Sequence, residues 1–158
     1  MNDYIKSDLY RYYGKSDFLT FVKAILRHRT VRFQYAFRLC QTKGISKYWG
    51  LLLWELNHTR RSIRLPRTTK VGYGLYIGHG GPIVVNPSTI IGNNVNLSQF
   101  TTIGSNHETA ATIGDNVTIG AGSVVTKSIP DNATAVGNYP RVINYNKPGQ
   151  YVNRRWII

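Results

Sequence analysis

Nine aliphatic residues at regular spacing constrain this chain more than anything else in it. They fall at Val71, Ile77 and Ile83, at Ile91, Leu97 and Ile103, and at Ile113, Ile119 and Val125. Within each trio the spacing is six residues, and glycine follows six of the nine, at 72, 78, 92, 104, 114 and 120. Six residues make one short strand and a corner, and three such units close a triangular coil. The aliphatic side chain points into the prism, and glycine permits the tight corner. Neighbouring coils pair as parallel strands, so no coil is stable alone. The hairpin turns and period-two alternation of a sandwich are not evident. Residues 66–143 are therefore expected to form a short parallel β-helix of about three coils.

The steps between trios are eight and ten residues instead of six. The longer step leaves four extra residues within GSNHETAAT, which a β-helix expels as a loop carrying His107. His79 sits elsewhere, on a coil corner within LYIGHGGPIVV.

The first 65 residues have a different texture. From Ser16 to Lys43 the apolar residues recur mainly at helical spacing, with Ser16-Asp17 as N-cap and Gly44 as stop. A second helix is expected from about Ser46 to Arg61, with Trp49, Leu52, Leu53 and Leu56 on its inner face. DLYRYYG, before Ser16, reads as a short helix or turn. No Gly/Ser-rich linker follows Pro66, so the helices are expected to pack directly on the prism. The whole reads as mainly β with α: a helical region 1–65, the β-helix 66–143 and a tail 144–158.

Charge separates the halves further. Residues 1–70 carry 15 Lys and Arg against 4 Asp and Glu, a net of +11, while residues 71–158 carry a net of +2. Such a field attracts polyanions or an anionic membrane surface, and it also suits a plain solvated face. The clusters RHRTVRF and RRSIRLPRTTK match no nucleic-acid motif, and an anionic lipid or glycan explains them as well. The N-terminus lacks the apolar segment of a secretory signal, and no apolar run approaches the ~18 residues of a membrane span. A cytoplasmic protein is expected, with the inner face of the membrane as its peripheral site. The single cysteine, Cys40, lies in an apolar helical setting and reads as a small buried side chain.

Chemistry gathers around the histidines. An imidazole, with an ordinary pKa near 6.5, can take the proton of a hydroxyl as its oxygen attacks an acyl carbon. Glycine corners such as Gly80-Gly81 let backbone N–H groups approach a developing oxyanion. The β-helical half holds only His79 and His107 and no cysteine, too few ligands for a three-ligand zinc site, so no metal is expected.

Four stretches carry a resemblance: GLYIGHGGPIVV around His79, IIGNNVNLSQFTTIG leading to the loop, IGAGSVVTKSIPDNATAVGN near the end and, more faintly, DLYRYYG. Together they resemble the left-handed β-helix acyltransferases, within them the serine O-acetyltransferase branch. That resemblance implies a left-handed coil, a homotrimer, and acetyl-CoA as co-substrate in the groove between adjacent prisms. It implies His79 as general base, and His107 with Asn106 at the acceptor. It places Gly80, Gly81, Gly104, Ser105, Gly120, Ala121 and Gly137 along the cofactor, with Arg141 and Lys147 near its phosphates.

Departures from the family pattern shape the expected acceptor. An aspartate fifteen residues before the catalytic histidine, which orients it, corresponds here to Arg64. An aspartate immediately before that histidine, which binds the amino acid, corresponds to Gly78. The arginine before the loop histidine, which binds the serine carboxylate, corresponds to Asn106. A backbone carbonyl or Glu55 is left to orient His79. TIGDNV also runs straight into TIGAGSVV, without the further turn of hexapeptides usual there, which shortens the platform for CoA. The expected function is thus acetyl-CoA-dependent O-acetylation of a saccharide or similar small hydroxylated acceptor, within surface-polysaccharide biosynthesis. Serine O-acetylation for cysteine biosynthesis, and a non-catalytic trimeric scaffold for polyanions or membrane surfaces, stand as the alternatives.

Overall fold

The nine aliphatic positions all turn inward, none more than 8% exposed and five of them at 0%. The computed structural model describes residues 1–58, 63–104, 111–145, 152 and 154–157. Within them, strands of two to four residues wind into a parallel prism with three sides. One side stacks β1 (Ile63–Arg64), β4 (Ile83–Val85), β7 (Thr101–Ile103) and β10 (Val124–Val125). A second stacks β2 (Lys70–Val71), β5 (Ile90–Ile91) and β8 (Thr112–Ile113). The third stacks β3 (Tyr76–Ile77), β6 (Asn96–Leu97), β9 (Thr118–Ile119) and β11 (Thr134–Val136), and β12 (Arg141–Asn144) closes it antiparallel to β11. A second inward residue two positions before the aliphatic one, such as Val95 or Val117, fills the space between stacked rungs.

The register corrects one step of the sequence reading. Ile103 lies over Val85, and Ile83 lies over Ile63 and under Thr101. The coil position is therefore Val85, and the two extra residues belong to the corner between Ile77 and Ile83. Both Ile83 and Val85 point inward, 0% and 3% exposed, which is why spacing alone chose between them wrongly.

Four helices precede the prism: α1 (Asp3–Tyr13), α2 (Phe18–Arg27), α3 (Arg29–Cys40) and α4 (Ile45–His58). The helix expected over 16–43 is two helices, broken at His28, whose backbone is extended (φ −113°, ψ 112°). The Arg32 side chain takes the carbonyls of Ile25 and Leu26 at the end of α2, so the break leaves those acceptors satisfied. Asp17 caps α2 through the Thr20 N–H. DLYRYYG is the last part of α1, which ends at Gly14 in the left-handed region (φ 66°).

The predicted inner face of α4 also needs correcting. Trp49, Leu52 and Leu56 point outward, and the helix turns Gly50 and Trp54 inward. A Cβ on Gly50 would lie 2.6 Å from the Cys40 nitrogen and the Leu39 carbonyl carbon, so α3 and α4 meet almost backbone to backbone. Close approach at the glycine decides which apolar stripe is buried, and Trp54 packs on Phe33 and Phe37 beside it.

Helices α1 and α3 close the open end of the prism. Strands β2 and β3 are edge strands, whose outer backbone groups need partners. Side chains supply them. Arg38 donates to the carbonyls of Val71 (2.8 Å) and Gly72 (2.6 Å), Gln34 to Leu75 (2.7 Å), Gln41 to Thr69 (2.9 Å) and Arg11 to Gly74 (3.1 Å). The N–H groups of Gly74 and Leu75 donate to Ser7 Oγ and Asp8 Oδ1. Asp8 and Arg38 form a bidentate pair at 2.8 and 2.9 Å with both side chains buried. Burial pushes the Asp8 carboxyl above its ordinary range, and Arg38 opposes that shift.

Candidate active site

The corner after Ile77 is the one that carries His79. At the same corner of the next two coils, Leu97 leads to Ser98-Gln99-Phe100 and Ile119 leads to Gly120-Ala121-Gly122. Gly81 stands directly under Gln99: a Cβ on it would lie 2.6 Å from the Gln99 Cβ. Gly78 donates to the Leu97 carbonyl at 3.4 Å, and Phe100 donates to that of Pro82. The residues left over are His79 and Gly80, so the histidine stands on a two-residue excursion in front of the corner stack. Gly80 adopts φ +61°, which the excursion requires and which glycine allows. The His79 side chain is exposed and, among the described residues, has no hydrogen-bond partner.

His79 stands at one end of a groove of about 680 Å³, within the range usual for small-molecule sites. Gly78, Gln99, Gly120, Ala121 and Val136 follow the corner from coil to coil. From His79 to Val136 the groove crosses three rungs, about 14 Å at the spacing of paired strands. Its other wall is helical: Arg11 and Tyr12 of α1 lean over Tyr76 and Asn96, and Arg154 of the tail joins them. Tyr12 ties α1 to the strand that leads to His79. Its hydroxyl accepts from the Ile77 N–H (3.1 Å) and lies 2.9 Å from the Ile77 carbonyl and 2.6 Å from Gln34 Oε1, either of which can take its proton. Burial pushes this phenol well above its ordinary range. Arg11 is 95% buried by its 5% exposure, and its guanidinium reaches Gly74 O and Asn96 Oδ1 (2.5 Å). Burial lowers its pKa to about 10, which leaves it cationic at neutral pH. Its Nε and the Gln99 Oε1 are buried without partners among the described residues. The described residues that line the groove include two guanidiniums and no carboxylate.

The residues expected from the sequence are brought together only in part. His79, Gly120 and Ala121 line one groove. Gly80 and Gly81 form its corner. Gly137 follows Val136 at the far end, and Arg141 pairs with Val136 there. Gly104 ends β7 on a different side of the prism and does not line this groove. Ser105, Asn106, His107 and Lys147 lie outside the described residues. Glu55, considered as an orienting group, is exposed on α4 and does not line the groove, and its charge is felt instead by the Cys40 thiol. The thiol is raised by burial, as an inert cysteine would be. Arg64 is exposed on β1. Among the described residues no three His, Cys, Asp or Glu side chains gather. Arg11, Tyr12 and Gln99 escaped the sequence reading. DLYRYYG held the hint for the first two, but only docking of α1 on the first coil gives them a place in the site.

No protein-family model matches the chain. It is 29% identical over 143 residues to the serine acetyltransferase of Synechococcus elongatus, covering 77% of this chain and 56% of that protein. The chain thus spans little more than half of that relative's length. Soybean serine acetyltransferase complexed with serine superposes with a TM-score of 0.63 at 22% identity, over 89% of this chain and 68% of that one. The serine acetyltransferase of Brucella abortus in complex with coenzyme A gives 0.61 at 21% identity, over 90% and 67%. The sequence likeness is to serine acetyltransferases, and the structural likeness establishes their fold, helices followed by a hexapeptide-repeat β-helix. The chain is serine O-acetyltransferase-like.

Proposed function

We propose that this chain is an acetyl-CoA-dependent O-acetyltransferase of the serine acetyltransferase type, with His79 as general base. The observation that carries the reading is the His79 excursion at the end of a groove floored by small residues along three rungs. A long, narrow cofactor arm fits such a groove, with its thioester end at His79 and its nucleotide end toward Gly137 and Arg141. Acetyl-CoA supplies the thioester carbonyl. His79 takes the acceptor hydroxyl proton as the oxygen bonds to that carbon. The carbon–sulfur bond then breaks, and the imidazolium returns the proton to the leaving thiolate. The N–H groups of Gly80 and Gly81 are the donors assigned to the developing oxyanion, since that of Gly78 is taken by the Leu97 carbonyl.

For the acceptor, the comparisons favour serine over the saccharide expected from the sequence. The groove's charge supports the same choice: Arg154 is exposed on its wall, and the buried, engaged guanidinium of Arg11 adds positive charge beneath it, which favours a carboxylate where Asn106 replaces an arginine. His107 and Asn106 remain assigned to the acceptor, and Ser105 and Lys147 to the cofactor, on the resemblance. A homotrimer is part of the proposal. Val84, Ile90 and Phe100 are exposed on outer faces of the prism, where a neighbouring prism would cover them and wall the groove.

The test is thiol release from acetyl-CoA with serine, nucleotide sugars and free sugars as acceptors. Wild type should turn over serine. His79→Ala should lose roughly two to four orders of magnitude in turnover while acetyl-CoA affinity and thermal stability hold. Full turnover in that variant would reduce His79 to a corner residue, and activity with sugars alone would restore the saccharide reading.

A further inference from the structure

The outward stripe of α4 plays no part in the groove. Ile45, Tyr48, Trp49, Leu52 and Leu56 stand 51–78% exposed. At 3.6 residues per turn they occupy an arc of about 100°. On α2, Phe18, Leu19 and Leu26 stand 62–77% exposed. Both helices pack on α3, and Phe18 of α2 and Ser46 of α4 line one groove of about 380 Å³ together with Tyr35 and Leu39 of α3. Two apolar faces of this size on one helical cap exceed the scatter of single apolar residues that any surface carries.

The charge around them identifies the occupant. Lys15, Lys23, Arg27, Arg29 and Lys43 are exposed on these helices and their ends. Between Leu9 and Lys70 the chain holds two carboxylates, Asp17 and Glu55, and Asp17 is engaged by Thr20. A second copy seated on this face would bring cations against cations. An anionic bilayer surface meets both features at once: the apolar stripe enters the headgroup boundary and the cations meet the lipid phosphates. Tyr48 and Trp49 are the residue types that favour that boundary. No helix among the described residues is long and apolar enough to cross a membrane, so the helices would lie on the surface.

We propose that α2 and α4 together form a docking face for an anionic lipid bilayer, which holds the β-helix and its groove beside the membrane. The proposal is independent of the reaction assigned above. Val84, Ile90 and Phe100, the exposed apolar residues assigned above to the contact between prisms, lie on other elements, so a trimer formed through them leaves this face open.

Vesicle flotation tests it, with vesicles of phosphatidylcholine alone and of phosphatidylcholine with phosphatidylglycerol. Wild type should float with the anionic vesicles, weakly or not at all with the neutral ones, and less at high salt. The double variant Trp49→Glu, Leu52→Glu should bind at least about tenfold more weakly, with an unchanged melting temperature and unchanged thiol release. Lys23→Gln with Lys43→Gln offers a second route that spares the apolar stripe. Each cation lost near the surface should cost about fivefold in binding. Wild type that ignores anionic vesicles would overturn the proposal. So would a Trp49/Leu52 variant that floats as well as wild type. A fall in particle mass in that variant would assign the stripe to another copy of the chain, also against the proposal.

Discussion

The prism and its helical cap are held together in opposite ways. In the prism, the same two interactions recur at every rung: a backbone ladder and an aliphatic residue stacked on its equivalents, as in the column Ile77, Leu97, Ile119. In the cap, each bond is made once. Arg38, Gln34, Gln41 and Arg11 each find a different carbonyl of the first coil, and the Asp8–Arg38 pair joins α1 to α3. The side chains of the cap substitute for a rung that is not there. A repeat spreads its stability over many equivalent groups, whereas the cap concentrates it in a few buried polar ones. Damage to the two should therefore differ in kind as well as size.

The largest effect is expected inside the prism. Ile119 is 0% exposed and stacked on both sides, under Ala135 and over Leu97. Ile119→Asp places a carboxyl in the column without a partner, at a cost of several kcal/mol. That is a large share of the 5–15 kcal/mol that holds a domain. Far-ultraviolet circular dichroism with urea titration should show no cooperative transition at neutral pH. A cooperative transition near that of the wild type would mean that the column is open to water.

The next effect separates the cap from the surface. Arg38→Met strands the buried Asp8 carboxylate and frees the Val71 and Gly72 carbonyls, so it should cost about 3–5 kcal/mol. At roughly 2–4 °C per kcal/mol for a chain of this size, Tm should fall by about 10 °C. Adding Asp8→Asn to that variant removes the stranded charge and keeps an acceptor for the Leu75 N–H, so part of the loss should return. Lys6→Met, at the exposed Lys6–Asp3 pair, should change stability by less than about 0.5 kcal/mol. Equal losses from Arg38→Met and Lys6→Met would erase the distinction between cap and surface.

The same contrast governs what could be read from the chain alone. A six-residue period is local, so Val71 through Val125 disclosed the prism and its inward column without any knowledge of tertiary contacts. The reading slipped at Ile83 and Val85, because two aliphatic residues two apart both face inward and either completes a trio. Only pairing with Ile103 moves the extra residues onto His79-Gly80. That shift matters for the site, since it turns His79 from a corner residue into one displayed ahead of the stack. The helices offered less. Arg11 and Tyr12 enter the groove because α1 docks on β3, a contact 63 to 65 residues away in sequence that no local pattern encodes. The stripe Trp49, Leu52, Leu56 was recognisable as a stripe, but α4 is apolar on two sides, and periodicity does not say which one faces in.

Gly50 makes that choice, and the smallest of the expected effects tests it. In an exposed helix, Gly→Ala stabilises by about 1 kcal/mol, because it removes backbone freedom from the unfolded chain. Here the added Cβ would sit 2.6 Å from the Cys40 nitrogen and the Leu39 carbonyl carbon, and 2.7 Å from the Leu39 Cβ. Two of those three contacts are backbone, which cannot swing aside as a side chain can. The helices must separate, at a cost of about 1–3 kcal/mol for an overpacked interface. Propensity and packing oppose each other, and packing should win by about 1 kcal/mol, a Tm lower by a few degrees. Trp54, held between α4 and the rings of Phe33 and Phe37, should report the separation as a change in its fluorescence. A Gly50→Ala protein that melts higher than wild type would mean that α3 and α4 do not touch at this glycine. The choice of which stripe faces out would then need another cause.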